Sequence, residues 1–498
     1  MELLQRPAFS PMEPMAASCP DWLATHLHQA GGAVPFSRFM DLALNEPEYG
    51  YYGSGRARIG AQGDFVTSPS LGSDFAALLA PQILAWLTSM SRSDPDQRLS
   101  IVEIGPGEGH LARDLVAALR GADPELLARI ELVLVEANPG MRRRQQALLE
   151  EADDLPLRWC SLDALGSAPV HGVVIAHELL DALPVERLIW RQGSLQQQWV
   201  ELNQNGELQT THRPLPDGLH QEIRRVCSQG GIQLPPPDAE EGWTTEWNSA
   251  LPDWFAAAAA AVDAGVLLVI DYALEAQRYF TARRSDGTLM AVCAQQAGLS
   301  PLDQPGEQDL TAHLCIELVD EAAQRNGWMV GDQAKQGEAL LALGLAERLH
   351  GLQQLPGHQL AEALQRREAL LRLVDPAGLG AFRWLTYRAR VAGRRLQPFR
   401  RSRQLRISSR LTSSRISTVP MLVGITKRRR PSRTFLSPCK LSRTASAARS
   451  GQAVGSPALS ISRRWRSASS RLQLPRSTPS SPTATMPMAT ASPCSQVP

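Results

Sequence analysis

The stretch Leu99–Arg113, LSIVEIGPGEGHLAR, limits what this chain can fold into more than any other. Leu99, Ile101, Val102 and Ile104 read as a short strand apolar on both faces, as a buried strand of a parallel sheet must be. The turn Gly105-Pro106-Gly107-Glu108-Gly109 follows at once, and Leu111, Leu115, Val116 and Leu119 then fall on one helical stripe. Strand, glycine turn and helix make a nucleotide-type site. The glycines let the backbone turn tightly and a ligand come close, and the helix N-terminus offers free N–H groups.

Spacing separates the cofactors. A dinucleotide fingerprint places glycines at the first, third and sixth positions of the turn. Here they stand at 105, 107 and 109, and His110 fills the sixth position. Glu103, just before the turn, would repel a pyrophosphate but can hold an ammonium or a hydroxyl. A second apolar strand, Ile130–Val135, runs into Glu136, where a carboxylate suits the two hydroxyls of an adenosyl ribose. The pattern points to S-adenosylmethionine rather than to NAD.

The 498 residues exceed the usual size of one domain, and a hydrophobic content of 43% can build a sizeable core. The seven cysteines show no CxxC pairing, so neither a disulfide framework nor a zinc site is expected, and no metal is needed. Residues 1–20 lack the apolar run of a secretory signal, and no stretch is apolar enough for a membrane span. A cytoplasmic protein is expected. The net charge of +1 hides a division. All 50 acidic residues precede residue 376, whereas 24 of the 51 lysines and arginines follow Asp375. The first 375 residues therefore carry 27 cations against 50 anions, a net charge of −23.

In chain order, a flexible stretch 1–20 precedes an extension, 21–98, with helices expected at 21–31, 35–45 and 71–90. Between them lies PEYGYYGSGRARIGAQGDFVTSP (Pro47–Pro69), whose glycines and tyrosines suit a loop folding over a ligand. From 99 strands and helices alternate, as in a parallel α/β sheet: strands at 99–104, 130–135, 156–160 and 170–176, helices at 110–120 and 139–151. The strand ending at His177 leads into Glu178-Leu179-Leu180-Asp181, where ligands of open α/β sheets lie. An insertion at about 185–250 begins as strand–turn–strand and continues, over 213–245, as a Pro-, Gly- and acid-rich segment outside the core. A helix at 254–263 and a buried strand at 265–270 follow. Asp309 reads as the cap of a helix over about 310–325, before helices at 335–353 and 359–374 and a strand at 381–388. The core of 99–392 gives way to an Arg/Ser-rich segment, 393–498, too polar to offset its ordering entropy. Its lack of carboxylates is what translation of a shifted reading frame would give. Deleting it is expected to leave activity unchanged.

Several motifs in fixed order resemble the MidA-like family of class I S-adenosylmethionine-dependent methyltransferases. They are PEYGYYG, GDFVTSP, VEIGPGEG, HELLDALPVERL, LLVIDYA, RSDGTLMAV, PGEQDLTAHL and QGEALLALGLAERL. His177 stands where the family usually has Asn, Ser70 where Glu is common, and Ala273 where Gly is. The resemblance implies the seven-stranded, Rossmann-like methyltransferase sheet with a helical N-terminal extension. It places Glu103, Gly105, Gly107 and Gly109 on the methionine part of the cofactor, Glu136 on the ribose and Asp163 on the adenine side. Gly63, Asp64 and Phe65 would lie over the cofactor, with His177 beside it. Glu178 and Asp181 would bind a guanidinium, and DLTAH would bring His313 near them. It also implies a protein substrate presenting an arginine, symmetric dimethylation, and a respiratory-complex subunit as partner. The acidic body opposes nucleic acid outside the basic segment. A small-molecule methyltransferase and a non-catalytic assembly factor stay open as alternatives.

Overall fold

The computed structural model describes residues 17–60, 63–150 and 155–389. The expected N-terminal stretch before residue 17 and the Arg/Ser-rich segment after 393 lie outside the described residues. The centre is a seven-stranded sheet. Its strands in chain order are β1 (Leu99–Ile104), β2 (Ile130–Val135), β3 (Leu157–Cys160), β4 (Val170–His177), β5 (Val262–Asp271), β6 (Met329–Lys335) and β7 (Arg383–Arg388). In space they run β3-β2-β1-β4-β5-β7-β6. The first five are parallel; β7 is antiparallel to both β5 and β6.

Both faces of this sheet are covered, which is why its strands read as nearly continuous apolar runs. Ile101, Leu132, Leu134, Val173, Ile175, Leu268 and Ile270 face the helices Asp74–Ser91, His110–Leu119 and Leu360–Leu373. The alternate residues Val102, Val133, Val174, Leu267 and Val269 face the helices Leu251–Ala261 and Ile316–Arg325. A third core lies under an antiparallel sheet that joins the N-terminal part of the chain to the insertion. Its strands Glu186–Arg191, Ser194–Leu202, Glu207–Pro214 and Thr244–Trp247 come from the insertion. Ala33–Pro35 joins them from the N-terminal extension, and so does Ala17–Ser18, which lies in the stretch 1–20 expected to be flexible but pairs in register with Leu208 and Glu207. Phe36, Phe39 and Leu44 of the helix Phe36–Asn45 fill the space beneath.

The structure departs from the sequence reading at identifiable places. The segment 213–245 belongs to the core: helix Asp217–Gly230 buries Ile223 and Val226, and Trp243 is 2% exposed. Its prolines and acids masked a short apolar stripe. The helix expected from 310 begins only at Ile316, because Asp309–Thr311 pairs as a strand with Met290–Cys293. Asp309 is therefore not a helix cap. The helix expected over 335–353 is two helices, Gln336–Ala342 and Leu345–Leu352, parted by Gly344 at φ +105°. The preceding β6 alternates too weakly in hydropathy to be read as a strand.

Asp74 ties the N-terminal extension to the C-terminal helices. It is 5% exposed and pairs with Arg348 Nε at 2.7 Å and with both Arg366 Nε and Nη2, at 3.0 and 2.9 Å. Burial pushes its carboxyl up, but the two guanidinium groups outweigh that and hold it below its ordinary value. A folded-state value below the unfolded one gives stability that is present above about pH 4 and is lost as pH falls through the folded value. Asp74→Asn is expected to destabilise the fold by about 2 kcal/mol at pH 7 and to flatten the acid limb of the stability curve. Urea denaturation at pH 7 and pH 3.5 checks both effects.

Candidate active site

Of the residues singled out from the sequence, the glycine turn, Glu136, Glu178 and Asp181 lie beyond the carboxyl ends of β1, β2 and β4, where open α/β sheets bind ligands. Glu103 and His177 lie at or near the last residue of β1 and β4. At the end of β1 the turn glycines Gly105, Gly107 and Gly109 adopt φ of +66°, +53° and +89°. That is left-handed backbone, which glycine takes without strain. A Cβ on Gly107 would lie 2.9 Å from Ile59 Cδ1, so the GDF-containing loop rests directly on the turn. Glu103 is buried, its carboxyl pushed up to about 8 by desolvation and drawn back by the Ala112 N–H. Its Oε2 has no hydrogen-bond partner. A buried carboxylate oxygen without a donor is costly, and a ligand ammonium or hydroxyl would satisfy it.

Glu136 follows β2. Its Oε1 accepts from the Asn138 N–H at 2.8 Å, and its Oε2 accepts from Gln145 Nε2 at 2.9 Å. Gln145 Nε2 also donates to the Gly107 carbonyl at 2.8 Å, and Gln145 Oε1 accepts from Trp159 Nε1 at 3.1 Å. One fully buried amide thus couples the turn to the second acidic position. A helical glutamine that follows three arginines gave no sign of this in the sequence. Asp163 lies apart from this network, exposed in the first turn of the helix after β3.

Gly63, Asp64 and Phe65 belong to a loop closed on itself by Gly60 N–H to the Phe65 carbonyl and Asp64 N–H to the Arg58 carbonyl. Asp64 is spent on holding it down. One oxygen accepts from Tyr51 OH at 2.8 Å and the other from the Ala294 N–H at 3.1 Å. Asn138 fastens the same strap from below by donating to the Tyr52 and Gly53 carbonyls.

At the ends of β4 and β5 four acids converge: Glu178, Asp181, Asp271 and Asp309. Glu178 sits at φ +48°, a left-handed conformation costly for a residue with a side chain. Its N–H continues the sheet to the Ile270 carbonyl at 2.9 Å. Its Oε1 takes the Ser68 N–H at 3.4 Å and lies 3.5 Å from His177 Nε2. Asp271, wholly buried, shapes the loop: one oxygen accepts from the N–H groups of Leu180 and Asp181 at 3.0 and 3.3 Å, the other from the Tyr272 N–H. Asp309 accepts from Tyr52 OH at 2.9 Å. Burial pushes Asp271 and Asp309 up to about 7. Burial, with Asp271 and Asp309 as negative neighbours, lifts Glu178 and Asp181 well above the carboxylate range. The Tyr272 phenol is raised by the same causes.

His177 is pushed down to about 3 by burial, packs edge-on to Phe75, and is neutral. His313 joins the group through Tyr272, whose ring centroid is 5.5 Å away, and through Ala312, whose N–H donates to the Asp181 carbonyl at 2.9 Å. Burial and the Arg284 charge hold His313 at about 4. Its own N–H reaches Thr288 Oγ1, which donates to Glu246, so RSDGTL and DLTAH meet at one threonine. Sequence reasoning passed over Asp271, Asp309 and Ser68 as site residues. The rule that singled out Glu178, an acid at a strand's carboxyl end, applied equally to Asp271.

Such an arrangement suits a cation. A guanidinium entering four crowded carboxyls would relieve their repulsion and take bidentate, charge-assisted hydrogen bonds. No group of three or more His, Cys, Asp or Glu among the described residues could hold a metal ion. No described helix is long and apolar enough to cross a membrane.

Residues 78–332 match the family model described as S-adenosyl-L-methionine-dependent methyltransferase. The chain is 27% identical over 390 residues to the "Protein arginine methyltransferase NDUFAF7 homolog, mitochondrial" of Drosophila melanogaster, covering 70% of this chain and 80% of that one. It is 27% identical to the Danio rerio "Protein arginine methyltransferase NDUFAF7, mitochondrial", over 61% of this chain and 70% of that one. A COG1565 superfamily member from Burkholderia thailandensis, solved bound to S-adenosyl-homocysteine, superposes with a TM-score of 0.64 at 29% identity. That match covers 74% of this chain and 90% of the other.

Proposed function

Because this chain belongs to the S-adenosyl-L-methionine-dependent methyltransferase family, we propose that it methylates an arginine side chain of a protein. The buried acids Glu178, Asp181, Asp271 and Asp309 at the ends of β4 and β5 carry this reading. The names of the fly and zebrafish relatives support it.

S-adenosylmethionine supplies an electrophilic methyl group on a sulfonium. Glu103 and the backbone of Gly105, Gly107 and Gly109 hold its amino-acid part. Glu136, braced by Gln145, takes the ribose, and Asp163 the adenine side. The strap with Gly63, Asp64 and Phe65 covers the cofactor, and neutral His177 lines the same wall. Glu178 and Asp181 grip the guanidinium and fix one nitrogen toward the methyl group. Asp309, oriented by Tyr52, adds a further acceptor, and neutral His313 stands by through Tyr272. The main contribution to rate is alignment of nitrogen, carbon and sulfur in line. By resemblance to the MidA-like family, the arginine lies on a respiratory NADH dehydrogenase-type subunit and is dimethylated symmetrically. The cysteines, free at the five described positions, support a reducing compartment such as the cytoplasm.

The test is methyl transfer by the full-length protein. With labelled S-adenosylmethionine, label is expected in an arginine peptide and not in its lysine counterpart. A protein that binds the cofactor yet labels neither peptide would return the choice to small-molecule substrates or to assembly without catalysis.

Binding of the arginine peptide is also expected to depend on pH. Asp271 and Asp309 are raised to about 7, so the free site is partly protonated at neutral pH. A cation drives those protons off, so affinity should rise between pH 6 and 8, by at most about tenfold per pH unit for each proton released. Calorimetry in two buffers of different ionisation enthalpy reads the proton count directly.

A further inference from the structure

We propose that Gln336 is a positioning residue for Glu178 and acts through Ser68. The inference rests on the reading of Glu178 as the guanidinium-binding carboxylate. It assigns a role to QGEALLALG, a motif lying far from Glu178 in sequence.

Gln336 opens the helix after β6 and has no exposed surface; nor has Ser68. Every hydrogen-bonding atom of its amide is used. Nε2 donates to Ser68 Oγ and to the Leu373 carbonyl, each at 3.1 Å, and Oε1 accepts from Trp384 Nε1 at 3.2 Å. A buried amide so fully engaged has one orientation available to it.

Ser68 needs an anchor. Its backbone lies at φ −54° and ψ −44°, in the helical region, yet the next residue is Pro69. Proline disfavours that region for the residue before it, and the natural alternative is extended. Clamping the Ser68 hydroxyl to Gln336 opposes the drift toward an extended chain. In the held conformation the Ser68 N–H is presented to Glu178 Oε1 at 3.4 Å.

A second arm starts from the same amide. Trp384, which donates to Gln336, packs edge-on to Phe75 with ring centroids 6.1 Å apart, and Phe75 packs on His177 at 5.4 Å. His177 Nε2 lies 3.5 Å from the same Glu178 oxygen. Oε1 is thus flanked by two groups that both lead back to Gln336, and Oε2 is left for an incoming donor. The ionisable groups acting on Glu178 are His177, Asp271 and Asp309, with Asp181 and Tyr272 alongside.

Infrared difference spectroscopy on the full-length protein tests this without a methyl acceptor. Glu178 is held protonated well above the ordinary carboxylate range, so its C=O stretch is the band missing from Glu178→Gln. Titrating that band gives a midpoint. In Gln336→Met, an apolar side chain of similar length, and in Ser68→Ala, which keeps the backbone N–H but loses its anchor, the midpoint should move upward. The expected rise is about threefold to tenfold in the protonation constant, because an N–H donor to the charged form is lost. Cofactor affinity should stay at the wild-type value. If the two variants melt at a lower temperature but keep the wild-type band and midpoint, Gln336 is packing alone and the proposal is overturned. A shift in Gln336→Met without one in Ser68→Ala overturns the route through Ser68. Should Gln336→Met fail to fold, Ser68→Ala still decides. Failure of the arginine reading would appear elsewhere, as an unlabelled peptide, and would leave this result intact.

Discussion

Replacing Glu178 by Gln is expected to slow arginine methylation by about 10²- to 10³-fold while S-adenosylmethionine affinity stays within about twofold. The amide has the size of the carboxylate and can still accept from the Ser68 N–H, so the fold around it is kept. It loses the charge that makes two parallel hydrogen bonds to a guanidinium strong, and one of its two ends becomes a donor facing donors. The cost falls on the transition state, where a nitrogen must be held in line with the methyl carbon, more than on encounter with the acidic pocket. The backbone points the same way. The chain places Glu178 at φ +48° although no glycine is there, a strain that persists only when the surroundings enforce it. Initial rates with labelled cofactor and arginine peptide, together with calorimetric cofactor titration, separate the two effects. An undiminished rate would remove Glu178 from the mechanism.

Gly107→Val is expected to weaken S-adenosylmethionine binding by at least about 10²-fold, with secondary structure intact by circular dichroism. Two costs combine. At φ +53° a branched side chain strains the backbone, and its Cβ would lie 2.9 Å from Ile59 Cδ1, so the Ile59 side chain must turn aside and loosen its contact with the turn. Together these amount to about 3 kcal/mol, which corresponds to the stated loss. The disturbance should also reach Glu136, because Gln145 bridges the Gly107 carbonyl and that carboxylate. Gln145→Ala should therefore share part of the defect with no change in the glycine turn itself. Equal cofactor affinity in wild type and Gly107→Val would place the ligand elsewhere.

The parallel half of the sheet was legible because it is built from local signals. Leu99–Ile104 and Ile130–Val135 are apolar runs bounded by turn residues, and their limits agree with the sequence reading. The glycine turn and Glu136 follow from those two strands by position alone. What escaped depends on pairing between distant segments. Asp309 has the sequence context of a helix cap, and only its partnership with Met290–Cys293 makes it a strand residue that accepts from Tyr52. The helix at 217–230 is polar and proline-preceded, and only its packing in the fold shows that Ile223 and Val226 are buried. Gln145, Ser68 and Gln336 are ordinary polar residues in one dimension. Their importance lies in hydrogen bonds that cross 38, 110 and 268 positions of the chain.

Threading β7 between β5 and β6 sets a timetable for biosynthesis. The ribosome makes β5 first, then β6, and only afterwards the strand that belongs between them. Until Arg383–Arg388 emerges, the β5 edge from Val266 to Asp271 is unpaired and apolar as far as Ile270, the kind of template on which nascent chains aggregate. The protein should thus depend on chaperones late in synthesis rather than early. Ribosome-bound chains stalled just short of residue 383 should recruit holdase, and chains stalled well beyond residue 388 should release it.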